Sequence, residues 1–384
     1  VKQVLSDPAF IRSQDLLKTA ISLYFHIPFC TKKCPYCHFY VLPNRQKNAF
    51  HPLLAEGLKR EWDFRQNELS GHSIASIYFG GGTPTLFGPK EIGLVLDRIS
   101  NRVLNCEITL EANPEEATEE LLAQYRNIGI NRLSLGVQSF DDRSLHTLER
   151  IHSASKAKEA IFAARRAGFT NISIDLMYDL PGQTESSFCY TLDQIQNLPI
   201  THLSLYNLTF EPHTSFYKRK KELLPQVPTS EISLKLLQSA VEAIEKAGLK
   251  RYEISAFGLP SIHNSGYWTG RPFLGFGPSA FSFWEGTRFQ NIANLQRYAK
   301  LLKEQKSPVD FTETLPYPQN IQERLAVQLR LREGVNLDTW DLPLKTTLAL
   351  ENLHKEGFLE KEGSLWRLSE QGILFYDSVA IEII

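Results

Sequence analysis

Leu23-Tyr24-Phe25-His26-Ile27-Pro28-Phe29-Cys30-Thr31-Lys32-Lys33-Cys34-Pro35-Tyr36-Cys37 joins the two signals that decide the fold: a short β-rich run and, directly after it, three cysteines spaced C-x3-C-x2-C. The run is the first of six, the others covering residues 74–79, 106–110, 132–137, 172–177 and 202–208. Between them lie longer amphipathic stretches at 50–69, 90–99, 119–128, 156–167 and 185–198, with Gly129 and Gly168 placed as helix stops. Strands alternating with helices predict an α/β protein with a parallel sheet and right-handed crossovers. Six units fall short of the eight that close a full barrel, so a partial (β/α)6 barrel is expected, with an open flavodoxin-like sheet as the competitor. Either fold puts ligands at the carboxyl ends of the strands.

The rest of the chain divides by composition. Residues 1–22 form an N-terminal arm, 23–212 the barrel core, 213–313 an extension and 314–384 a small α+β domain. The extension holds a basic, Pro-punctuated stretch at 211–228, a helix at 233–247 and a strand-like run at 251–256. Its Gly- and aromatic-rich segment 266–289 reads as a lid or binding loop. The last domain, with helices at 323–332 and 346–356 and a hairpin around 359–368, has a winged-helix-like order. Its Glu-rich 351–362 favours a packing or partner module over one for nucleic acid.

The bulk numbers exclude several classes. With Lys+Arg 42 against Asp+Glu 43 the net charge is -1, so no global basic field exists and no nucleic-acid partner is expected. Apolar runs are far shorter than the ~20 residues that span a bilayer, and residues 1–7 hold no signal-peptide run. With 5 cysteines, three of them inside eight residues, a disulfide framework is not expected, and the protein reads as cytoplasmic in a reducing compartment.

Closely spaced thiolates wrap the corners of an iron–sulfur cube, and three ligands for four irons leave one iron with an open position. Two other readings remain: cysteines without ligand duty, and a zinc site borrowing His26 or His38. Cys106 and Cys189 read as core thiols. The other strand ends are also polar. Gly80-Gly81-Gly82-Thr83-Pro84 follows the second strand, Glu111-Ala112-Asn113-Pro114 the third, Gln138-Ser139-Phe140 the fourth, and Asp175 closes the fifth. Polar residues at successive strand ends point to one shared cleft, and glycines let backbone amides and carbonyls approach a ligand.

Cys30 to Cys37, with Phe39 beyond, resembles the signature of the radical S-adenosylmethionine superfamily. Tyr24 to Phe29 resembles its branch containing oxygen-independent coproporphyrinogen III oxidase. The resemblance implies a [4Fe–4S] cluster on Cys30, Cys34 and Cys37. It also implies S-adenosylmethionine at Tyr24, Gly81, Gly82, Thr83, Glu111, Gln138, Arg150, Asp175 and Thr209. Its chemistry would be one-electron reduction of the sulfonium to methionine and a 5′-deoxyadenosyl radical, with flavodoxin or ferredoxin as donor. The oxidases add a fourth cysteine where Phe39 stands, and they carry a longer N-terminal arm.

These departures are similar to the haem-chaperone branch, HemW. Tyr252-Glu253-Ile254-Ser255 and Leu274-Gly275-Phe276-Gly277-Pro278-Ser279-Ala280 fit that branch too, and His263-Asn264-Ser265-Gly266-Tyr267-Trp268 resembles its H-N-x-x-Y-W motif. This implies haem held by His263, Asn264, Tyr267 and Trp268, by an axial imidazole and aromatic faces. The haem would be delivered to haem proteins, membrane-bound ones included, with a homodimer left open. From the bare residues, His263 and Asn264 equally end a loop while Tyr267 and Trp268 fill core. The alternatives are oxidation of coproporphyrinogen III or another radical reaction on a tetrapyrrole, and a purely structural cluster, against which Glu111, Gln138 and Asp175 stand. His38 occupies a position where the family typically has an acidic residue, and its role stays open.

Overall fold

The computed structural model describes residues 20–43 and 46–384, so the expected N-terminal arm lies outside the described residues up to residue 19. The six runs form β1 (Ile21–Ile27), β2 (Ile74–Gly81), β3 (Arg102–Ala112), β4 (Arg132–Gln138), β5 (Asn171–Tyr178) and β6 (His202–Asn207). They pair in that order and all are parallel. Helices α1 (Lys47–Arg65), α2 (Pro89–Leu96), α3 (Glu119–Asn127), α4 (Ala154–Arg166) and α5 (Glu185–Asp193) make the crossovers. The hydroxyls of Thr118, Ser153 and Thr184 cap α3, α4 and α5 by accepting from amides three residues on. Gly129 and Gly168, at φ 102 and 92, take the left-handed turns that end α3 and α4.

Each strand has an apolar and a polar face. On β4, Leu133, Leu135 and Val137 are fully buried against the helix layer. Arg132 and Ser134 point the other way, in register with Thr109 and Glu111 of β3 and with Ser173 of β5. Parallel strands covered on both faces usually read as continuous apolar runs. Here the outer layer supplies stability and the inner face is free for polar groups. Phe25 of β1, stacked between Phe79 at 5.1 Å and Phe276 at 5.0 Å, shows the outer layer's density. Truncating such a ring costs about 3–5 kcal/mol.

The sheet does not close. Beyond β6 it adds β8 (Ala256–Gly258) and β7 (Arg251–Glu253), both antiparallel. Beyond β1 it adds β9 (Phe273–Phe276), parallel to β1, then antiparallel β10 (Phe281–Trp284), β11 (Thr287–Asn291) and β12 (Val309–Thr314), twelve strands among the described residues. The expected lid at 266–289 is therefore corrected. Helix α6 (Ser230–Lys246) is followed by α7 (Ile262–Trp268) and then by sheet, because the aromatics of this segment pack as strand residues, Phe276 against Phe25 and Trp62.

The C-terminal unit has helices Gln319–Gln328 and Leu344–Lys355, a hairpin of Leu359–Glu362 and Leu365–Leu368, a short strand Val335–Asn336 and two closing helices. Its separate core centres on Leu325, Leu350 and Trp366. This is the helix, helix, two-stranded wing order expected, with the closing helices added. Among the described residues no helix is long and apolar enough to cross a membrane.

Candidate functional site

The cysteine loop leaves β1 and is pinned on both sides. Residues Phe29–Cys30 pair with Leu42–Pro43, the Cys37 amide donates to the Cys34 carbonyl at 3.1 Å, and the Phe216 amide donates to the Pro35 carbonyl at 2.9 Å. The glycine loop after β2 locks onto it from below, with the Gly82 amide on the Ile27 carbonyl and the Thr83 amide on the Phe29 carbonyl. That approach explains the glycines. A Cβ on Gly81, which also has φ 108, would lie 2.5 Å from the His26 ring, and one on Gly82 would lie 2.6 Å from the Phe29 carbonyl oxygen.

Cys30, Cys34 and Cys37 line one cavity of about 460 Å³ together with Gly81, Gly82, Glu111, Gln138, Arg150, Asp175 and Thr209. Thr83 stands behind it, donating to the Cys30 sulfur at 3.7 Å and accepting from Asn113 at 2.8 Å. Tyr24 lies one layer deeper, stacked on Tyr78 and bonded through its hydroxyl to His26 Nδ1 at 3.0 Å. Arg150 sends Nη1 to the Cys34 sulfur at 3.3 Å and Nη2 to Asn113 and to the Gly136 carbonyl at 2.6 and 2.9 Å. Gln138 sits at φ 68, a left-handed conformation costly for a side chain of its size.

The electrostatics of this end follow from burial. It lifts Glu111 to about 7, reinforced by Asp175 and opposed by bonds from the Tyr78 hydroxyl and the Gly81 amide at 2.7 and 3.1 Å. Burial lifts Asp175 to about 6 and the Cys30 thiol to about 12. Two carboxyls held near neutrality suit an incoming cation, whose charge would ionise them. Among the described residues no three His, Cys, Asp or Glu side chains converge on a single-ion site. A [4Fe–4S] cube takes one thiolate per iron, so its ligands need no common point. Three thiols on a pinned loop, with Arg150 and Thr83 aimed at two of the sulfurs, fit such a cluster.

The other predicted group lies at the opposite, amino end of the strands. There α7 enters the barrel mouth with its first turn on the Glu107 carboxylate, which accepts from the Ser261 hydroxyl and from the Ile262 and His263 amides at 2.9–3.1 Å. His263 is 1 % exposed. Its Nδ1 bonds Ser76 Oγ at 2.9 Å, the Tyr267 hydroxyl meets its Nε2 at 2.8 Å, and its ring stacks on Tyr78 at 4.8 Å. Burial, then the charges of Arg271 and Arg132, push its pKa to about 3, so the imidazole is neutral. Iron could reach neither nitrogen without breaking one of these bonds. Trp268 lies under the Arg330 guanidinium at 4.3 Å, facing the C-terminal unit, and Asn264 is half-buried on α7.

Sequence reasoning missed the residues linking the two ends: Tyr78, Glu107 and Arg132, the last 1 % exposed with its Nε 3.9 Å from Glu107. The available signal was the alternation within the strands, as in Leu133-Ser134-Leu135-Gly136-Val137-Gln138, which marks a polar inner face.

Comparison with known proteins agrees with this architecture. The family model of the Radical SAM superfamily matches residues 24–195, and that of the HemN C-terminal domain matches 304–375. The chain is 31% identical over 374 residues to the heme chaperone HemW of Bacillus subtilis, covering 93% of this chain and 97% of that one. It is 32% identical to the mitochondrial radical S-adenosyl methionine domain-containing protein 1 of Danio rerio, covering 93% and 85%. Coproporphyrinogen III oxidase (HemN) from Escherichia coli shares the fold, with a TM-score of 0.83 at 24% identity over 98% of this chain and 93% of that one. With an open radical S-adenosylmethionine barrel, a HemN-type C-terminal domain and relatives alike over nearly their whole length, the chain belongs to the HemW family.

Proposed function

We propose that this protein is a haem chaperone, which binds haem and passes it to haem-accepting proteins. It would use a [4Fe–4S] cluster on Cys30, Cys34 and Cys37 and S-adenosylmethionine in the cavity beside them. The observation that carries the reading is similarity over more than nine-tenths of the chain to proteins named heme chaperones. When bound, the cluster supplies a low-potential electron and one open iron position. The chain's own groups do the rest. Gly81 and Gly82 bring backbone to the amino-acid end of the nucleotide, and the Glu111 carboxyl, freed of its proton, takes the ammonium. Asp175, Gln138, Arg150 and Thr209 orient the remainder and exclude water. Tyr24 and Thr83 support these groups from behind. A flavodoxin or ferredoxin is the expected electron donor. Haem contact falls on α7, the helix of His263, Asn264, Tyr267 and Trp268.

The test is anaerobic. After cluster reconstitution, haem binding by absorbance, haem transfer to an apo-haem protein, 5′-deoxyadenosine release and conversion of coproporphyrinogen III are measured in parallel. Haem uptake and transfer without conversion are expected. Turnover of coproporphyrinogen III would replace the chaperone reading with an oxidase.

A further inference from the structure

Between the amino end of the barrel and the C-terminal unit lies a second cleft, of about 810 Å³, larger than the cavity beside the cysteines. Arg251, Arg271, Arg324 and Arg332 line it, against a single carboxylate, Glu333, among its described lining residues. This end of a (β/α) barrel ordinarily serves stability, and like charges gathered in a cleft work against stability. Arg251 directs both Nε and Nη2 to the Ile254 carbonyl, and Arg271 Nη1 donates to the Ile262 carbonyl at 2.9 Å and to the Ser22 hydroxyl at 3.5 Å. Arg332 pairs with Glu370 at 2.7 Å, and Arg324 lies over the Trp340 ring at 4.7 Å.

The four come as two neighbouring pairs. The Arg332 amide donates to the Tyr252 carbonyl, bringing Arg332 beside Arg251, whose pKa is lowered by burial, against the pull of the Glu253 carboxylate, and further by Arg332's charge. Arg324 Nε lies 3.8 Å from where a Cβ on Gly270 would stand, next to Arg271. Pro260, Pro272 and Leu331 give the same cleft apolar lining. Two cationic pairs and apolar walls match a flat amphipathic dianion, since guanidiniums bind carboxylates bidentately.

We infer that this cleft binds a dicarboxylate porphyrin through its two propionates. The inference rests on the haem-carrier reading above and adds where the ring lies. One wall is α7 with the residue that caps it, Ile262, Ser265 and Thr269 lining the cleft while His263 and Tyr267 face the barrel interior. The ring therefore sits on the outer face of α7 without an iron bond to His263, and affinity depends on the carboxylates more than on the metal.

The experiment uses the full chain with its cluster reconstituted and follows binding of metal-free protoporphyrin IX, its dimethyl ester and ATP. The wild type is compared with the double variant Arg324→Gln/Arg332→Gln, whose altered side chains are exposed and hold no backbone carbonyl. The double variant is expected to bind protoporphyrin IX at least about tenfold more weakly, the scale of one to two charge-assisted contacts. The ester should bind the wild type equally weakly, with S-adenosylmethionine binding unchanged. If the wild type binds porphyrin and the double variant binds it within about twofold, the inference falls and the haem-carrier reading stands. If the wild type binds neither haem nor porphyrin, that reading falls and takes the inference with it. ATP binding abolished in the variant, with porphyrin unaffected, would overturn the ligand class by assigning the cleft to phosphates.

Discussion

The two ends of the barrel interior are built from the same residue types and left in different states. At the amino end, Glu107 accepts three bonds from the start of α7 and both nitrogens of His263 are engaged. At the carboxyl end, Arg150 Nε has no partner among the described residues, Gln138 is held at φ 68, and two carboxyls have pKa values lifted towards 7 around a cavity. Polar identity alone does not separate a plug from a binding site. Hydrogen bonding alone does not either, since Arg132 Nε beside Glu107 also lacks a hydrogen-bond partner among the described residues; open space does, because the cavity at the carboxyl end leaves room for a ligand to complete Arg150, Glu111 and Asp175.

The sharpest way to break this contrast is Cys34→Ser against Glu107→Ala. The first is expected to abolish a stable [4Fe–4S] signal almost completely, measured as iron and sulfide content after anaerobic reconstitution. Full iron content in that variant would remove Cys34 from the ligand set. Glu107→Ala should leave iron per folded molecule unchanged and lower unfolding free energy by about 3–5 kcal/mol, since it strips the α7 amides and leaves Arg132 buried without its carboxylate. Chemical denaturation reads this directly. A loss below about 1 kcal/mol would show that α7 is held by something else.

A smaller effect concerns pH. Glu111 holds its proton to about 7 in the folded protein against an ordinary 4.5, so its contribution to stability is present below about 4.5 and is lost as pH rises through 7. Within that window the loss is roughly 1.4 kcal/mol per pH unit. Denaturant midpoints taken without S-adenosylmethionine at about pH 5 and about pH 7.5 should differ less in Glu111→Gln than in the parent. Equal differences would assign the slope to another carboxyl.

How much was legible in the sequence follows from the range of each interaction. The strands and the cysteine and glycine loops are local patterns, so β1–β6 and the strand-end residues Gly81, Gly82, Glu111, Gln138 and Asp175 of the cysteine-lined cavity could be read from runs and their ends, whereas Arg150 and Thr209 came only from the family resemblance. Glu107 holds an amide 156 residues away, and the positions of Ser22 and Ser76 opposite His263 depend on register between β1 and β2. Nothing in the local pattern carries that. The segment 266–289 misled because Gly and aromatic residues mark loops when exposed and tight strand packing when buried. Gly275, whose added Cβ would lie 2.1 Å from the Phe281 carbonyl oxygen, is of the second kind.

The finest test separates the sequence motif from its placement. If His263 were an axial ligand, the Tyr267 hydroxyl would be its competitor, because that proton meets the Nε2 lone pair an iron would need. Removing the hydroxyl in Tyr267→Phe would then strengthen haem binding. If α7 is a plug whose outer face bears the porphyrin, the same change removes one buried hydrogen bond. Stability should then fall by about 1 kcal/mol, and haem affinity should stay within about twofold. The second outcome is expected, read by haem titration and denaturant unfolding of the same preparation. A several-fold gain in haem affinity would return His263 to the iron and make the barrel's amino end, like its carboxyl end, a ligand site.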